Sequence, residues 1–502
     1  MNIFKTGYTQ WENRHETFQQ NIKNLYALSN ISSLNAIDAY NDTTKGLQGL
    51  IQEAIDNNTT LRALGAGWSW TKIATVNNGI MLDTKALNAR FYISKDSVNA
   101  AYTGDADKLI FAQCGCAIWE LSQELKMSNL SLKTSGASNG QTVAGLIGTG
   151  AHGSAFDFGA AQEFVVGLHI VTGPNTHVYL ERSSYPVISD AFAQKLNAQI
   201  IRDDDIFNSA LVSMGAFGIV HGVMIETEPI YLLEAYMRRM PYDSDLQNIM
   251  QTLDFSNTKL PYGNERPFHF AVMLNPYDMT TGAYVTTMYK RNYTPDYTKP
   301  VNNMAGIGPG DDAPCFIGNL TSTIPATIPM VVNALLSSAL TPYEKQFGIL
   351  SEIFDNTTLH GKVLSAAVGF PIQYVNKVID LLLQLNNEQK FTGLFAFRYI
   401  KKSKAKLAFT RYDYTCVLEL DSVYSSDTLN YYHNFWQILD NANIPYAFHW
   451  GKMTELDSDK VKKIYGADLD TWLASRNKIL SPQAMKVFTN PIMQEWGLDK
   501  IV

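Results

Sequence analysis

Apolar runs alternate with amphipathic stretches along the N-terminal part of the chain. A helical pattern near residues 46–57 is followed by a short strand pattern at residues 61–64, and further strands are predicted at residues 79–84 and 108–117. An amphipathic helix is predicted over residues 118–126 and another strand over residues 220–227. The predicted order is therefore helix, three strands, helix and strand.

Two glycine-rich turns lie between these elements, at residues 64–70 and 145–154. Glycine permits positive φ and close approach of the backbone, so such turns can direct several N–H groups at one diphosphate. Neither turn is a Rossmann fingerprint or a Walker loop, because the first lacks a third glycine and no Gly-Lys-Ser/Thr follows either. A third cluster, at residues 214–220, leads into the last predicted strand. Each turn taken alone is more typical of an ordinary tight turn.

The order of these turns and elements resembles the flavin-binding domain of the vanillyl-alcohol oxidase superfamily, the PCMH-type FAD domain. Within that superfamily, three motifs resemble those of the aldonolactone and alditol oxidases. They are Trp11-Glu12-Asn13, the glycine cluster Gly-Leu-Ile-Gly-Thr-Gly-Ala-His-Gly at residues 145–153, and His449-Trp450-Gly451-Lys452. The motifs follow the family order and span almost the whole chain, whereas residues 233–390 carry no comparable motif.

The resemblance implies an α+β fold with three parts. Residues 1–232 would form a PCMH-type FAD-binding domain of two α/β lobes, and residues 233–435 an α+β substrate-binding cap domain with a sheet over the flavin. Residues 436–502 would pack back on the FAD domain and complete the active site. The chain contains no internal repeat or polar linker, so we expect the parts to be tightly docked.

FAD is the cofactor that the resemblance implies. The first turn would receive the diphosphate, the second would line the diphosphate and ribityl chain, and the start of the last strand would contact adenine. These residues are Gly65, Ala66, Gly67, Trp68 and Ser69, then Thr142, Gly145, Thr149, Gly150, His152 and Gly153, and finally Ile219 and Val220. His152 is also typical of a structural, hydrogen-bonded histidine.

The same resemblance bears on how FAD is held. Many members link the flavin to a histidine in the first turn, where this chain has Trp68, and some use a cysteine that residues 131–136 do not contain. An indole offers no nucleophilic ring nitrogen, so we expect noncovalent FAD.

Three residues are implied to be catalytic: Lys452, His449 and Arg398. The two cations would stabilise negative charge on the substrate oxygen and the reduced flavin, and His449 would accept the hydroxyl proton. Arg398 is alternatively a structural cation stacked on tyrosines, and Lys452 a surface lysine. Sugar-acting members usually carry Glu-x-Arg where this chain has Ala396-Phe397-Arg398. We therefore expect the site to lack that carboxylate, which disfavours a sugar or aldonolactone substrate.

The implied function is an FAD-dependent oxidoreductase that oxidises a CH–OH group of a small molecule by hydride transfer to flavin N5, with oxygen or another acceptor reoxidising the flavin. The alternative is the same fold acting on an amine or on a larger apolar substrate, such as a sterol or secondary metabolite. A flavin-binding protein without activity is a third possibility, against which the presence of His449 and Lys452 argues.

Composition fits a globular enzyme. The 502 residues are 46% hydrophobic and 17% charged with a net charge of −7, which argues against a nucleic-acid partner. Four cysteines are too few for a disulfide scaffold, and Cys114 and Cys116 are expected to pack on one face of a strand. The N-terminus lacks a signal pattern, so a cytoplasmic location is expected. The oligomeric state is left open.

The most apolar segment covers residues 324–340. Pro325 and Pro329 interrupt it, and it is too short and polar to predict a membrane span. A buried helix is one interpretation. A mobile lid over an apolar substrate is the other, because the segment follows a glycine-rich and proline-rich loop at residues 305–312.

Overall fold

Strands and helices alternate through most of the computed structural model, which describes residues 1–300, 313–355 and 362–501. The mixed composition confirms the predicted α+β class. The loop at residues 305–312 lies outside the described residues.

The strands fall into three stretches of the chain. The first stretch holds β1 (Asn2–Lys5), β2 (Gln10–Glu12), β3 (Gln19–Asn21), β4 (Asn24–Ser29), β5 (Leu61–Leu64), β6 (Ile80–Ala86), β7 (Arg90–Tyr92), β8 (Leu109–Gln113) and β9 (Leu130–Ser131). The second holds β10 (Val165–Gly173), β11 (Thr176–Glu181), β12 (Gln199–Arg202), β13 (Ile219–Glu226) and β14 (Glu228–Pro229). The third holds β15 (Tyr231–Met240), β16 (His269–Leu274), β17 (Ala283–Asn292), β18 (Tyr343–Gly348), β19 (Val363–Pro371), β20 (Gly393–Lys401), β21 (Tyr414–Val423) and β22 (Ala447–Phe448).

The helices are spread along the whole chain. Those before β15 are α1 (Ala36–Asp56), α2 (Ile118–Met127), α3 (Val143–Gly148), α4 (Asp190–Lys195) and α5 (Asp204–Leu211). The later ones are α6 (Ser244–Thr252), α7 (Ala313–Thr323), α8 (Ile328–Ala339), α9 (Leu350–Ile353), α10 (Val375–Glu388), α11 (Ser426–Asn441), α12 (Ser458–Tyr465), α13 (Ala467–Ile479), α14 (Pro482–Val487) and α15 (Pro491–Glu495).

Two sheets form the N-terminal part, in the orders β1-β4-β6-β5 and β12-β11-β10-β13-β8-β7. Helix α1 begins after Asn35, whose side chain accepts a hydrogen bond from the Asp38 N–H, and it buries Leu47, Leu50 and Ile51 on one face. The sequence pattern predicts only the second half of this helix. Two of the four buried residues in its first half are the threonines Thr43 and Thr44, so the apolar period is weak there.

The largest sheet has eight strands in the order β18-β15-β17-β16-β20-β21-β19-β22. Successive side chains of a strand point to opposite faces. Leu418 and Leu420 of β21 are buried in the core that also contains residues of α10 and α11, so the residue between them, Glu419, faces the other way. The face that carries Glu419 is the one that borders the functional cavity described below.

The C-terminal part returns to the first glycine turn. The backbone N–H of Trp70 donates to Gly451 O at 2.8 Å, and the Thr71 hydroxyl donates to Trp450 O at 2.8 Å. Arg476 of α13 is fully buried and donates to the carbonyl of Ala216 in the third glycine cluster. The boundaries at residues 232 and 435 stay predictions.

Helix α8 forms most of the apolar segment at residues 324–340, and α7 lies directly before it. Only Ile328, Val332 and Leu336 of α8 are buried, while Met330 is 68% exposed, so the expectation of a buried helix is wrong for its outer face. No single helix of the described chain is long and apolar enough to cross a bilayer. Ile317–Thr323 and Pro325–Ala339 together meet that test by length and composition, with a bend of 116°.

The cysteine pair is arranged differently from the prediction. Strand β8 ends at Gln113, so Cys114 and Cys116 lie in the turn beyond it and not on one strand face. Cys114 packs in the cluster beside α1, and Cys116 packs in the main core.

Candidate active site

One cavity of about 750 Å³ brings the predicted site residues together. It lies between the two glycine turns on one side and the eight-stranded sheet on the other. From the first turn it is lined by Gly65, Ala66, Gly67, Trp68 and Ser69, and from the later segments by Thr142, Gly145, Thr149, His152 and Val220. Arg398, His449 and Lys452 line the opposite part.

The two glycine turns touch each other. A Cβ on Gly65 would collide with the Thr142 hydroxyl, and Gly67 has a φ of +73°, a conformation that favours glycine. Thr142 precedes α3 and accepts a hydrogen bond from the Gly145 N–H at 3.3 Å. The Thr142 side chain therefore fills the space beside Gly65 and holds the two segments in close contact at this end of the cavity.

Three predicted cofactor contacts lie behind the cavity wall. Gly150, Gly153 and Ile219 are not among its lining residues. A Cβ on Gly153 would collide with Ser135 O, so this glycine serves a close backbone crossing. Ile219 is buried in the core beside α1. Their neighbours Gly148, Ala151 and Gly218 line the cavity instead.

The polar end of the cavity is built around Glu419. Its Oε2 lies 3.0 Å from Arg398 Nη2, and its Oε1 lies 3.4 Å from Lys452 Nζ. Lys452 Nζ also donates to Ser365 Oγ at 2.6 Å and lies 4.6 Å from the centre of the Trp70 ring system. Two cations from β20 and from the segment after β22 thus share one buried carboxylate.

A cavity of this size, with a glycine-lined wall and a cationic end, fits a flavin dinucleotide. Residues 37–179 match the family model described as an FAD binding domain. The chain is a flavoprotein with a PCMH-type FAD domain.

Curated relatives of this flavoprotein include two lactone-oxidising enzymes. It is 22% identical over 451 residues to an L-gulono-1,4-lactone dehydrogenase of Mycobacterium tuberculosis, covering 88% of this chain and 92% of the relative. It is 23% identical over 211 residues to a D-arabinono-1,4-lactone oxidase of Debaryomyces hansenii, covering 41% of this chain and 34% of the relative. The second match thus spans about a third of that enzyme's length.

Solved structures with the same fold include the cholesterol oxidase of Brevibacterium sterolicum. The TM-score is 0.72 at 15% identity, covering 99% of this chain and 97% of the other. At this identity the likeness concerns the fold alone, and it confirms the predicted fold.

The carboxylates of the flavoprotein's cavity have opposite pKa shifts. Burial alone would raise the pKa of Glu419, but Arg398 and Lys452 outweigh it and hold the pKa well below its ordinary value. Burial raises the pKa of Asp421, two residues along the same strand. Glu419 is therefore a permanent anion, while Asp421 holds its proton more readily than an ordinary aspartate.

Two of the histidines that line the cavity, His152 and His449, have lowered pKa values, which favours their neutral forms at pH 7. Burial lowers the pKa of His152 to about 4 and that of His449 well below its ordinary value. His449 Nδ1 accepts a hydrogen bond from the Gly451 N–H at 3.0 Å, which places the ring proton on Nε2. The prediction that His449 accepts the substrate proton is thus not supported, because its lone pair is already occupied.

Sequence reasoning missed Glu419, Asp421, Ser365 and His15, all of which line the cavity. The expectation that this site lacks a carboxylate is wrong, because Glu419 supplies one. A signal was present in the apolar strand Tyr414–Val423, where two acidic residues at a spacing of two must share one face. His15 stacks on Trp70 with ring centres 3.7 Å apart, and no periodic pattern marks it.

Proposed function

We propose that this FAD-dependent oxidoreductase oxidises a CH–OH group of a small molecule, with oxygen or another acceptor reoxidising the flavin. When bound, FAD accepts the hydride at N5. The observation that carries the proposal is the shared ion cluster of Arg398, Glu419 and Lys452 in the same cavity as the glycine turns. The names of the lactone-oxidising relatives support the same reaction class.

The ion cluster suits an alcohol substrate. Lys452 and Arg398 place positive charge where negative charge develops on the substrate oxygen, and both side chains are less than a fifth exposed. Glu419 offers acceptor oxygens to neighbouring hydroxyl groups and prevents the two cations from repelling each other. A hydroxylated substrate of the lactone or sugar-alcohol kind therefore meets both cationic and anionic partners in this cavity.

A larger apolar substrate is the second candidate, and the apolar helix pair favours it. Val332, Leu335 and Leu336 of α8 line the same cavity, together with Ile317 of α7. These side chains provide an apolar wall that a small polyol does not require.

We propose that FAD is held without a covalent bond. Trp68 lines the cavity at the position where relatives carry the linking histidine. Burial raises the pKa of the Cys114 thiol to about 12, so it is not a thiolate nucleophile at neutral pH. Acid precipitation of the yellow protein is expected to leave the flavin in the supernatant. Colour that remains in the pellet would instead indicate a covalent bond, and a His15→Ala variant would show whether His15 forms it.

The reaction is tested by anaerobic bleaching of the bound flavin. The panel consists of L-gulono-1,4-lactone, D-arabinono-1,4-lactone, xylitol, cholesterol and benzylamine. Bleaching by a lactone or xylitol supports the proposal, and bleaching by cholesterol alone supports the second candidate. Bleaching by benzylamine only, or by none of these compounds, would contradict the proposed CH–OH oxidation.

We further propose a cytoplasmic location. Cys114, Cys116 and Cys416 are buried free thiols, which suits a reducing compartment. Fractionation of cells that express the full chain tests this proposal, and recovery outside the cytoplasmic fraction would contradict it.

A further inference from the structure

Asp421 is a second carboxylate of the cavity, and the ion cluster does not account for it. It lies two residues after Glu419 on β21, so both side chains are on the cavity face of the sheet. In the antiparallel pair β19–β21 it stands opposite Ser365, and in the pair β20–β21 it stands opposite Leu394. An acidic residue thus sits where the polar end of the cavity meets its apolar wall.

Hydrogen bonds connect Asp421 to the ion cluster. Lys452 Nζ donates to Ser365 Oγ at 2.6 Å, and Ser365 Oγ in turn donates to Asp421 Oδ1 at 2.5 Å. Among hydrogen bonds between described residues, this is the one made by the Asp421 carboxylate, and Asp421 is a half-buried residue that lines the cavity. The carboxylate is therefore oriented by Ser365 and accessible to a molecule in the cavity.

The charges around Asp421 differ from those around Glu419, so Asp421 takes up a proton more readily than Glu419 does. Glu419 contacts two cations directly, so it has little tendency to take up a proton. Asp421 is hydrogen-bonded to Lys452 only through Ser365, so the charge of Lys452 lowers its pKa without a direct contact. The charges of Glu419 and of Arg398 from β20 also act on it, and Tyr432 from α11 lies near it. Two neighbouring carboxyl groups in unlike environments commonly divide the roles of fixed anion and proton carrier.

We propose that Asp421 is the catalytic base of this site, an inference that rests on the proposed CH–OH oxidation. The substrate O–H bond breaks as an O–H bond forms on the Asp421 carboxylate. The adjoining C–H bond breaks with its electron pair, which leaves as hydride to FAD. The alcohol thereby loses two electrons and two hydrogens and becomes a carbonyl. The proton on Asp421 passes to water when the product leaves, and Lys452, held by Ser365 and Glu419, stays a fixed cation throughout.

The discriminating variant is Asp421→Asn. An asparagine keeps an oxygen that accepts the Ser365 hydrogen bond, so the position of Lys452 is preserved, but it does not take up a proton. The measurement is anaerobic flavin reduction of the holoenzyme from pH 5 to 9, with L-gulono-1,4-lactone and xylitol as probes. Asp380→Asn, at an exposed position of α10, is the matched control.

A base acts in its ionised form, so the wild-type rate is expected to rise with pH through the pKa of Asp421. Burial raises that pKa, which moves this acidic limb above the range of an ordinary aspartate. We expect Asp421→Asn to reduce the flavin about 100-fold more slowly and to lose the acidic limb. Asp380→Asn is expected to keep both the wild-type rate and the limb.

Other outcomes distinguish a failure of the role of Asp421 from a failure of the proposed CH–OH oxidation. If Asp421→Asn keeps the wild-type rate, or is slower but keeps the limb, Asp421 is at most a positioning residue and the inference is overturned. If no alcohol reduces the wild-type flavin, the proposed function fails and the inference fails with it. If Asp421→Asn does not bind FAD, the pH profile of flavin reduction in Ser365→Ala tests the role of Asp421 instead. Loss of its hydrogen bond is expected to move the limb to higher pH, and an unmoved limb overturns the inference.

Discussion

Glu419 stands directly opposite Ala396 in the antiparallel pair β20–β21, and its carboxylate lies 3.0 Å from the guanidinium of Arg398. Opposite residues of such a pair project from the same face of the sheet with their Cβ atoms about 5 Å apart. The carboxylate that the Ala396-Phe397-Arg398 motif lacks is thus supplied by the neighbouring strand. The site keeps its charge balance although the motif on β20 is incomplete.

Because positions 396 and 419 lie opposite each other, we expect that moving the carboxylate from 419 to 396 restores part of the activity. Glu419→Ala leaves two nearby cations without their shared anion, and we expect kcat/KM to fall about 100-fold or more. The double variant Ala396→Glu/Glu419→Ala returns a carboxylate to the same face and is expected to recover at least about tenfold of that loss. Steady-state kinetics with the best alcohol of the panel measures both. A double variant as inactive as Glu419→Ala, with FAD bound, would contradict the interpretation.

Lys452 is expected to act on the reaction and not on cofactor binding. Lys452→Met removes the cation near the reacting oxygen while preserving the length of the side chain, so anaerobic flavin reduction should slow by about 100-fold to 1,000-fold. The flavin absorbance per protein should stay unchanged. Lys463→Met is the matched control, since the Lys463 side chain is 78% exposed on α12. A wild-type reduction rate in Lys452→Met would remove this lysine from the mechanism.

Contact between the two glycine turns should control FAD affinity. In Gly65→Ala the new methyl group would collide with the Thr142 hydroxyl, so the turns must separate and we expect FAD to bind about tenfold more weakly or worse. In Gly49→Ala, on α1, the methyl group meets nothing within 4 Å, and alanine favours the helix. Fluorescence titration of the apoprotein with FAD compares the variants. Equal dissociation constants would show that the close approach is not needed for binding.

Because several histidines are buried, we expect the free energy of unfolding to decrease in acid. Burial lowers the pKa of His221 to about 3 and that of His169 well below its ordinary value, about 6.5 when unfolded. Their neutral forms therefore stabilise the fold fully above about pH 6.5. This contribution is lost progressively as the pH falls toward the folded-state pKa values, because the unfolded chain takes up the protons.

The measurement is Tm between pH 8 and pH 4 for the wild type and for His221→Gln. The variant is expected to unfold at a lower Tm at pH 8, because His221 contacts Thr44 and Gln113 in the core. Its Tm should then fall less steeply with acid, since one titrating group is absent. Parallel curves for the two proteins would contradict this role of His221.

The local sequence pattern predicted much of the secondary structure of the FAD-binding part. Strand β5, helix α2 and strand β13 lie within one or two residues of their predicted positions, because their apolar periods are strong and a glycine adjoins each of the two strands. The site was predicted less completely. Whether Glu419 faces a cavity or the core depends on the register of β21 against β19 and β20, which no local period reveals.

The different positions of the glycines within one motif have a similar cause. Gly150 and Gly153 belong to the same motif as Gly145 and Thr149, yet only the latter two line the cavity. Neighbouring residues of a loop point in different directions, so a motif identifies the segment but not each contact. The role of His449 depends in turn on its hydrogen bond with Gly451 and on burial, both of which are tertiary features.

Thr71 and Trp450 are hydrogen-bonded although 379 positions separate them in the chain. During translation, the first glycine turn leaves the ribosome long before the segment that packs against it. A nascent chain has no closed cavity until residues 449–452 have been synthesised, so FAD capture is expected to be a late, essentially post-translational event. Chains arrested before this point should be colourless and should depend on chaperones to protect the exposed cavity wall.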